Sequence, residues 1–513
     1  MDRHQLLAAE RSRLRTSPYG AIRVAVGTPA GYHAGMSSLA FQWVVELASR
    51  VPDVGLERFF PGTGRAGTTF ETGTALGQLD VLAWSCSYEP DAVEVLRTLD
   101  EAGIPRRRLQ RDHPHPLLVV GGPLATLNPL PLAPVIDVFC LGAAELLWPP
   151  LLELVRSTPD RGQLLEELAR REGYFVPGLH TGSDGRPLQR LRRREKREPE
   201  MVQPEMIPAS HVVTPHTEYA DRVLVELSRG CPERCRYCWA GHASGRLRGY
   251  PAEGIRARVR EAGALSRQIG FLATAAGDHP DLPALLEECR RLGLGASLSS
   301  LRIPFLTPQI LEPLVASGAR SVTIAPETGS DRLRGRLAKP ITNQQILAGL
   351  EVAQRCGIES VKMYFLLGIP EETDDDVRDV ARLVRTTRDL LVRGRAGRVT
   401  AAVNLLVPKP YTPFHRQPML GRGEWRRRLA LVERELSRVS HVTLQHSSWR
   451  EALWQGYLAR ADAAGCEHLE RAAAGTSLGR LLTDHRAEIE GLATTRRSGE
   501  PWWHFIATAP QQP

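Results

Sequence analysis

The chain has 513 residues, 42% of them hydrophobic and 24% charged, the mix of an ordinary globular protein. At roughly 150 residues per domain, that length suggests about three domains. The composition excludes a wholly disordered chain, a collagen and a disulfide-stapled mini-protein, and no run of about 18 uninterrupted apolar residues offers a membrane span. The net charge of +8 sets 66 basic against 58 acidic residues, yet only Lys196, Lys339, Lys362 and Lys409 are lysines, leaving 62 arginines. Such a bias reflects a GC-rich genome before it reflects a nucleic-acid partner.

The opening MDRHQLLAAERSRLR is too charged for a secretory segment, so a cytoplasmic location is expected. Residues 1–20 read as an N-terminal extension. IRVAV (22–26), VLAWS (81–85), LLVV (117–120) and VIDVFCL (135–141) read as strands. They alternate with helical stretches at SSLAFQWVVELASRV (37–51) and Ala92–Ala102, which predicts a doubly wound, Rossmann-like α/β sheet over residues 21–180. The basic run RPLQRLRRREKREPEMVQPEMIP reads as a linker or exposed loop, residues 181–215. A second alternating series follows, with strands expected at 223–227, 269–276, 295–300, 321–326, 361–368 and 399–407. Six such units predict a partial (β/α)6 TIM-type barrel over residues 216–420, with its chemistry at the C-terminal strand ends. WRRRLALVERELSRVS and WREALWQGYLARADAAGCEHLERAA have helical periodicity and predict a small helical C-terminal region, 421–513.

Of eight cysteines, five lie scattered among apolar residues and read as small buried hydrophobes. The other three stand in SRGCPERCRYCWAG, directly after the first barrel strand, as Cys231, Cys235 and Cys238 at spacing C-x3-C-x2-C. Three thiolates on one tight loop face a single metal centre. Structural zinc would want a fourth protein ligand, and none is evident in the local sequence. A [4Fe–4S] cluster usually takes four cysteines, so three leave one iron open to a ligand that is not protein. Gly230 and Pro232 shape the loop, and Tyr237 and Trp239 offer flat apolar surface beside it.

On these residues the chain resembles the radical S-adenosylmethionine (SAM) superfamily, whose signature is C-x3-C-x-aromatic-C on the loop after the first strand. The resemblance implies a [4Fe–4S] cluster on Cys231, Cys235 and Cys238 that chelates SAM. An electron from an external donor would then cleave SAM to methionine and a 5′-deoxyadenosyl radical, which abstracts hydrogen from a small-molecule or peptide substrate. The likeness continues at successive strand ends. The resemblance implies that in AAGDHPDL Gly277 lets backbone approach closely and Asp278 can accept from the SAM ammonium. It likewise implies that in SLSSLR Ser299 or Ser300 could bond ribose or carboxylate. In IAPETGSDRLRGRLAKPIT, Glu327 suits ribose hydroxyls, and Arg334 and Lys339 suit the SAM carboxylate. Tyr237 completes this cofactor-binding set. KMYFLLGIPEET and VNLLVPKPYTPF resemble family strands that line the adenine and substrate pocket.

The first domain resembles the cobalamin-binding-like domain that precedes the barrel in one large radical SAM group, through GMSSLAFQ, DVLAWSCSYEP, VVGGPLATLNPLPLA and DVFCLGAAE. EPWWHFI (500–506) is similar to the ending of a subgroup of Fe–S oxidoreductases. The Asp-x-His-x-x-Gly pattern that ligates cobalt is absent from residues 20–150. Cobalamin therefore either binds without a protein histidine, as the carrier for a methyl transfer, or does not bind and the domain caps the barrel. PETGSDRLRGRLAKPIT also resembles methylthiotransferases, but those carry a second cysteine triad in the N-terminal domain, where this chain has only Cys86 and Cys140. A non-catalytic iron–sulfur electron carrier is the remaining alternative. No zinc finger, helix-turn-helix or aromatic-basic interleave supports a nucleic-acid binder.

Overall fold

Near-continuous apolar runs, the mark of strands covered on both faces, build most of the first sheet. Ile22–Gly27 (β1), Val54–Phe59 (β2), Val81–Ser85 (β3), Leu117–Gly121 (β4) and Val138–Cys140 (β5) run parallel in the order β2-β1-β3-β4-β5. Tyr174–Phe175 (β6) closes the far edge antiparallel. Helices Leu39–Ser49 (α1) and Ala144–Ser157 (α3) pack one face around Phe41, Trp43, Leu147 and Leu151. Ala92–Glu101 (α2) packs the other through Val95, Leu96 and Leu99. The computed structural model describes residues 2–14, 16–112, 114–196, 201–392, 397–498 and 502–507. Residues 197–200 of the basic run and Glu500 and Pro501 of EPWWHFI lie outside them.

Strand β2 is absent from the sequence reading because Glu57 and Arg58 interrupt its apolar pattern. Both are buried and paired. Glu57 accepts from the hydroxyls of Thr69 (2.9 Å) and Thr72 (2.6 Å), and Arg58 reaches Glu10 (2.7 Å) and Glu71 (2.6 Å). Strand order reverses between β1 and β3, the switch point at which an open α/β sheet leaves a crevice beyond its strand ends.

The second unit is the expected partial barrel. Arg222–Arg229 (β7), Gln268–Ala273 (β8) and Gly295–Leu298 (β9) pair parallel. Ser321–Glu327 (β10), Ser360–Leu367 (β11) and Arg398–Leu405 (β12) form a second parallel set. The Leu301 amide, bonded to the Thr323 carbonyl at 3.2 Å, bridges the two. A seventh strand, Val442–His446 (β13), joins β12 in parallel. The sequence shows no sign of it because VTLQH is a half-exposed edge. Helices Ala252–Gly263 (α4), Leu282–Arg291 (α5), Pro308–Ala316 (α6), Asn343–Arg355 (α7), Asp374–Val392 (α8) and Arg422–Leu436 (α9) connect the strands in turn.

The apolar core beneath α2 continues unbroken into the barrel, through Val223, Phe271 and Met363. Part of the run expected to be an exposed linker is packed between the two units: the Lys196 side chain is completely buried. Four helices follow β13, namely Trp449–Leu458 (α10), Cys466–Ala473 (α11), Leu478–Asp484 (α12) and Arg486–Thr494 (α13). They return to the first domain, where the Asn128 amide donates to the Leu458 and Ala461 carbonyls, each at 2.8 Å. No described helix is long and apolar enough to cross a membrane.

Candidate active site

The barrel's first strand sets the cysteine loop. Beyond Arg229, Gly230 turns the chain at φ +80°, where a Cβ would lie 2.3 Å from the Arg246 carbonyl oxygen, so only glycine fits. The Arg236 amide donates to the Leu337 carbonyl (2.9 Å), and the Phe414 amide donates to the Arg236 carbonyl (3.2 Å). The loop is thereby tied to segments leaving β10 and β12 without using its sulfurs. Cys235 is buried, and Cys231 and Cys238 are half-buried, all three as free thiols. Burial pushes the Cys231 thiol up and that of Cys235 up to about 11. A bound metal centre would hold them as thiolates near neutral pH.

The donor set fits an iron–sulfur cluster. Three cysteine sulfurs on one loop, with no fourth cysteine in it, suit a cluster that leaves one iron open to a ligand that is not protein.

Between the second and third cysteines, Tyr237 packs against the buried apolar cluster of Leu333, Leu337, Ile369, Leu406 and Phe414. Its hydroxyl donates to Glu327 Oε1 at 2.6 Å, and Lys339 Nζ reaches the same oxygen at 2.8 Å. Burial, with Glu327 alongside, pushes the Tyr237 phenol far above its usual range. Glu327 ends β10 at φ +67° beside a register shift against β11. A carboxylate residue in that left-handed conformation stores of order 1–3 kcal/mol, and such strain collects at functional sites. Tyr237, Glu327 and Lys339, singled out separately in the sequence, form one hydrogen-bonded set that ties the cysteine loop to the end of β10.

The ends of β8 and β9 meet the loop from the other side. Asp278 pairs with Arg302, and Arg302 also reaches Glu233 inside the cysteine loop. The second carboxylate oxygen of Asp278, Oδ2, is buried with no hydrogen-bond partner, an acceptor suited to an ammonium group. Arg302 went unnoticed in the sequence, although it closes the SLSSLR motif.

One expectation needs correction. Arg334 does not face the barrel mouth. It is buried and holds the Ile341 carbonyl (2.8 Å), the Thr328 carbonyl, Asp331 and Asn343, so it braces the loop after β10. Gly277 packs closely against protein, because a Cβ there would sit 2.4 Å from Phe305 Cγ. Gly277→Ala is therefore expected to cost about 1–3 kcal/mol through overpacking. Thermal denaturation should show the loss, and a second change, Phe305→Leu, should recover most of it.

A cavity of about 520 Å³ lies between the two units. Ser85, Gly121, Gly122 and Cys140, at the ends of β3, β4 and β5, line it on the first-domain side, with Trp43 and Trp148 beside them. Glu226, Arg229, Thr274 and Ser299 line it on the barrel side. The exposed Ser299 thus faces the interdomain space.

Beside the cavity, Arg229 forks onto Glu145 (Nη2–Oε1 2.7 Å, Nη1–Oε2 3.1 Å) and reaches Glu226 at 3.0 Å. Lys196 Nζ donates to Glu145 (2.9 Å) and to the Tyr250 hydroxyl (2.8 Å), and Trp43 Nε1 donates to Glu145 at 2.8 Å. Burial alone would raise the Glu145 carboxyl, but Arg229 and then Lys196 hold it down to about 2. Burial and the Arg229 charge pull Lys196 below its usual range, while Arg229 meets that carboxylate with two bonds and Lys196 with one.

An open α/β sheet facing a parallel half barrel, with three cysteines on the loop after the barrel's first strand, defines a radical SAM protein. The chain belongs to the radical SAM superfamily. The family described as "Radical SAM superfamily" matches residues 225–384, and "Radical SAM proteins, N-terminal" matches residues 43–177. An uncharacterized protein of Methanocaldococcus jannaschii is 24% identical over 462 residues, 89% of this chain and 92% of the relative. An uncharacterized methyltransferase of Pyrococcus horikoshii is 23% identical over 320 residues, 58% of this chain and 64% of the relative. Among solved structures, the radical S-adenosylmethionine methyltransferase TsrM from Kitasatospora setae, with cobalamin and a [4Fe–4S] cluster bound, shares the fold. Its TM-score is 0.57 at 14% identity, over 88% of this chain and 99% of that one.

Proposed function

We propose that this chain holds a [4Fe–4S] cluster on Cys231, Cys235 and Cys238, cleaves SAM reductively, and transfers a methyl group through a cobalamin seated in the interdomain cavity. The observation that carries this reading is the cavity's position. It opens at once on the strand ends of the first domain and on the β8 and β9 side of the barrel mouth, so a ligand held by one unit faces the chemistry of the other. When bound, the cluster supplies the electron that breaks the SAM C–S bond and the corrin supplies a methyl carrier.

The chain's own residues bind, orient and exclude water. In this reading Asp278 Oδ2 accepts from the SAM ammonium, and Glu327 and Lys339 meet its ribose and carboxylate. Tyr237 fixes Glu327, and Ser299 stands on the cavity rim. Trp43, Val44, Val119 and Trp148 give the cavity apolar walls. Among the described residues no histidine lines it, so a corrin here takes no imidazole from that lining. Methylthio transfer has less support, because Cys86 and Cys140 are buried single thiols of the first domain and provide no second cluster.

Incubation of the anaerobically reconstituted protein with hydroxocobalamin tests the cavity. After desalting, the corrin spectrum should be retained. Ala40→Trp, which fills the cavity from an exposed position on α1, should lose it while keeping the cluster spectrum. A wild-type protein that retains no corrin would contradict the reading.

A further inference from the structure

The C-terminal helices gather two imidazoles and a carboxylate away from the cysteine loop. His468 lies on α11, His485 at the junction of α12 and α13, and Glu488 in the first turn of α13. One ligand atom from each lies within 4.8 Å of the other two. The imidazole rings meet edge to face with centroids 4.5 Å apart, and His468 Nε2 stands 3.6 Å from Glu488 Oε2, too far for a hydrogen bond.

Two further features point to a ligand. His485 Nε2 is buried without a hydrogen-bond partner, an arrangement that costs about 1–3 kcal/mol when nothing satisfies it. His468 uses its other nitrogen, Nδ1, at 2.7 Å from the buried Tyr457 hydroxyl on α10. If that nitrogen donates to the phenol oxygen, the Nε2 lone pair is turned toward Glu488. Metal-bound histidines are oriented by the same kind of outer contact.

We propose that His468, His485 and Glu488 bind one divalent transition-metal ion of the zinc type, at a site separate from the cysteine centre. Two imidazoles and one carboxylate suit a borderline ion, whereas calcium and magnesium favour oxygen ligands. Three protein ligands leave a fourth position for water. The ion would cross-link α11 to α13. Because Glu470 of α11 pairs with Arg107 of the first domain at 2.6 Å, it would stiffen the return of the C-terminal helices onto that domain.

The test uses the full-length protein with its cluster reconstituted anaerobically, equilibrated with Zn2+, desalted and assayed for both metals. Wild type should retain one zinc per chain. His485→Ala and the surface change Glu488→Gln, at a side chain 56% exposed, should each weaken zinc binding at least about tenfold while cluster iron is unchanged. Tyr457→Phe should weaken it by about 10–100-fold. Co2+ in place of Zn2+ should give ligand-field bands without a thiolate charge-transfer band. Failure of wild type to retain zinc, undiminished zinc in the His468→Ala/His485→Ala double variant, or a thiolate-to-cobalt band would overturn the assignment.

Discussion

Cys235→Ala should leave the protein folded and unable to hold its cluster. The loop does not depend on the sulfur for its shape. Its backbone is pinned through Arg236 to Leu337 and Phe414, and the Tyr237 ring remains packed in its apolar cluster. Losing one buried thiol takes away little packing, but it removes one of three ligands at a centre with no fourth cysteine in the loop. The variant should show the wild-type thermal transition in its apo form. After reconstitution it should lack the broad cluster absorbance and release no 5′-deoxyadenosine above the buffer control. A cluster spectrum of wild-type intensity would mean that the triad is not the ligand set.

Arg229→Met should be the most destabilising single change beside the cavity. It strands Glu145, fully buried, without its bidentate partner, and breaking a buried pair from one side costs about 3–5 kcal/mol. Denaturant titration should show that loss, and adding Glu145→Gln should return part of it by removing a buried charge that Lys196 alone would then balance. The same carboxylate sets an acid limit. Its pKa is depressed in the folded protein to about 2 from 4.5, so the unfolded chain binds more protons between those values and stability rises with pH there. The contribution is complete above about pH 4.5 and drains away as pH falls toward 2. In the double variant this part of the acid sensitivity should disappear.

The parts of the molecule that were legible in the sequence share a physical cause. Cys231, Cys235 and Cys238 declare themselves because one short loop holds the whole donor set. Strands β1, β3 and β4 are readable because burial on both faces demands an unbroken apolar run. Strand β2 was hidden because Glu57 and Arg58 are buried with partners from other segments, and β13 because a half-exposed edge needs no apolar pattern. Long-range pairing concealed most of the remaining site. Arg229 and Glu145 are separated by 84 positions, and Arg302 acquires its meaning only when Asp278 and Glu233 converge on it. Arg334 shows the reverse error: a cation near a strand end looks the same in sequence whether it faces a ligand or, as here, braces its own loop. His468, His485 and Glu488 come together only because α11 packs beside the α12–α13 junction.

Anaerobic incubation of the reconstituted protein with SAM and a strong reductant, with the nucleoside products quantified, bears most directly on the proposed chemistry. Wild type should release 5′-deoxyadenosine, and a variant with all three loop cysteines changed to alanine should release none. A cluster-loaded wild type that leaves SAM intact, or equal product from the triple variant, would contradict the assignment of this chain as a SAM-cleaving enzyme.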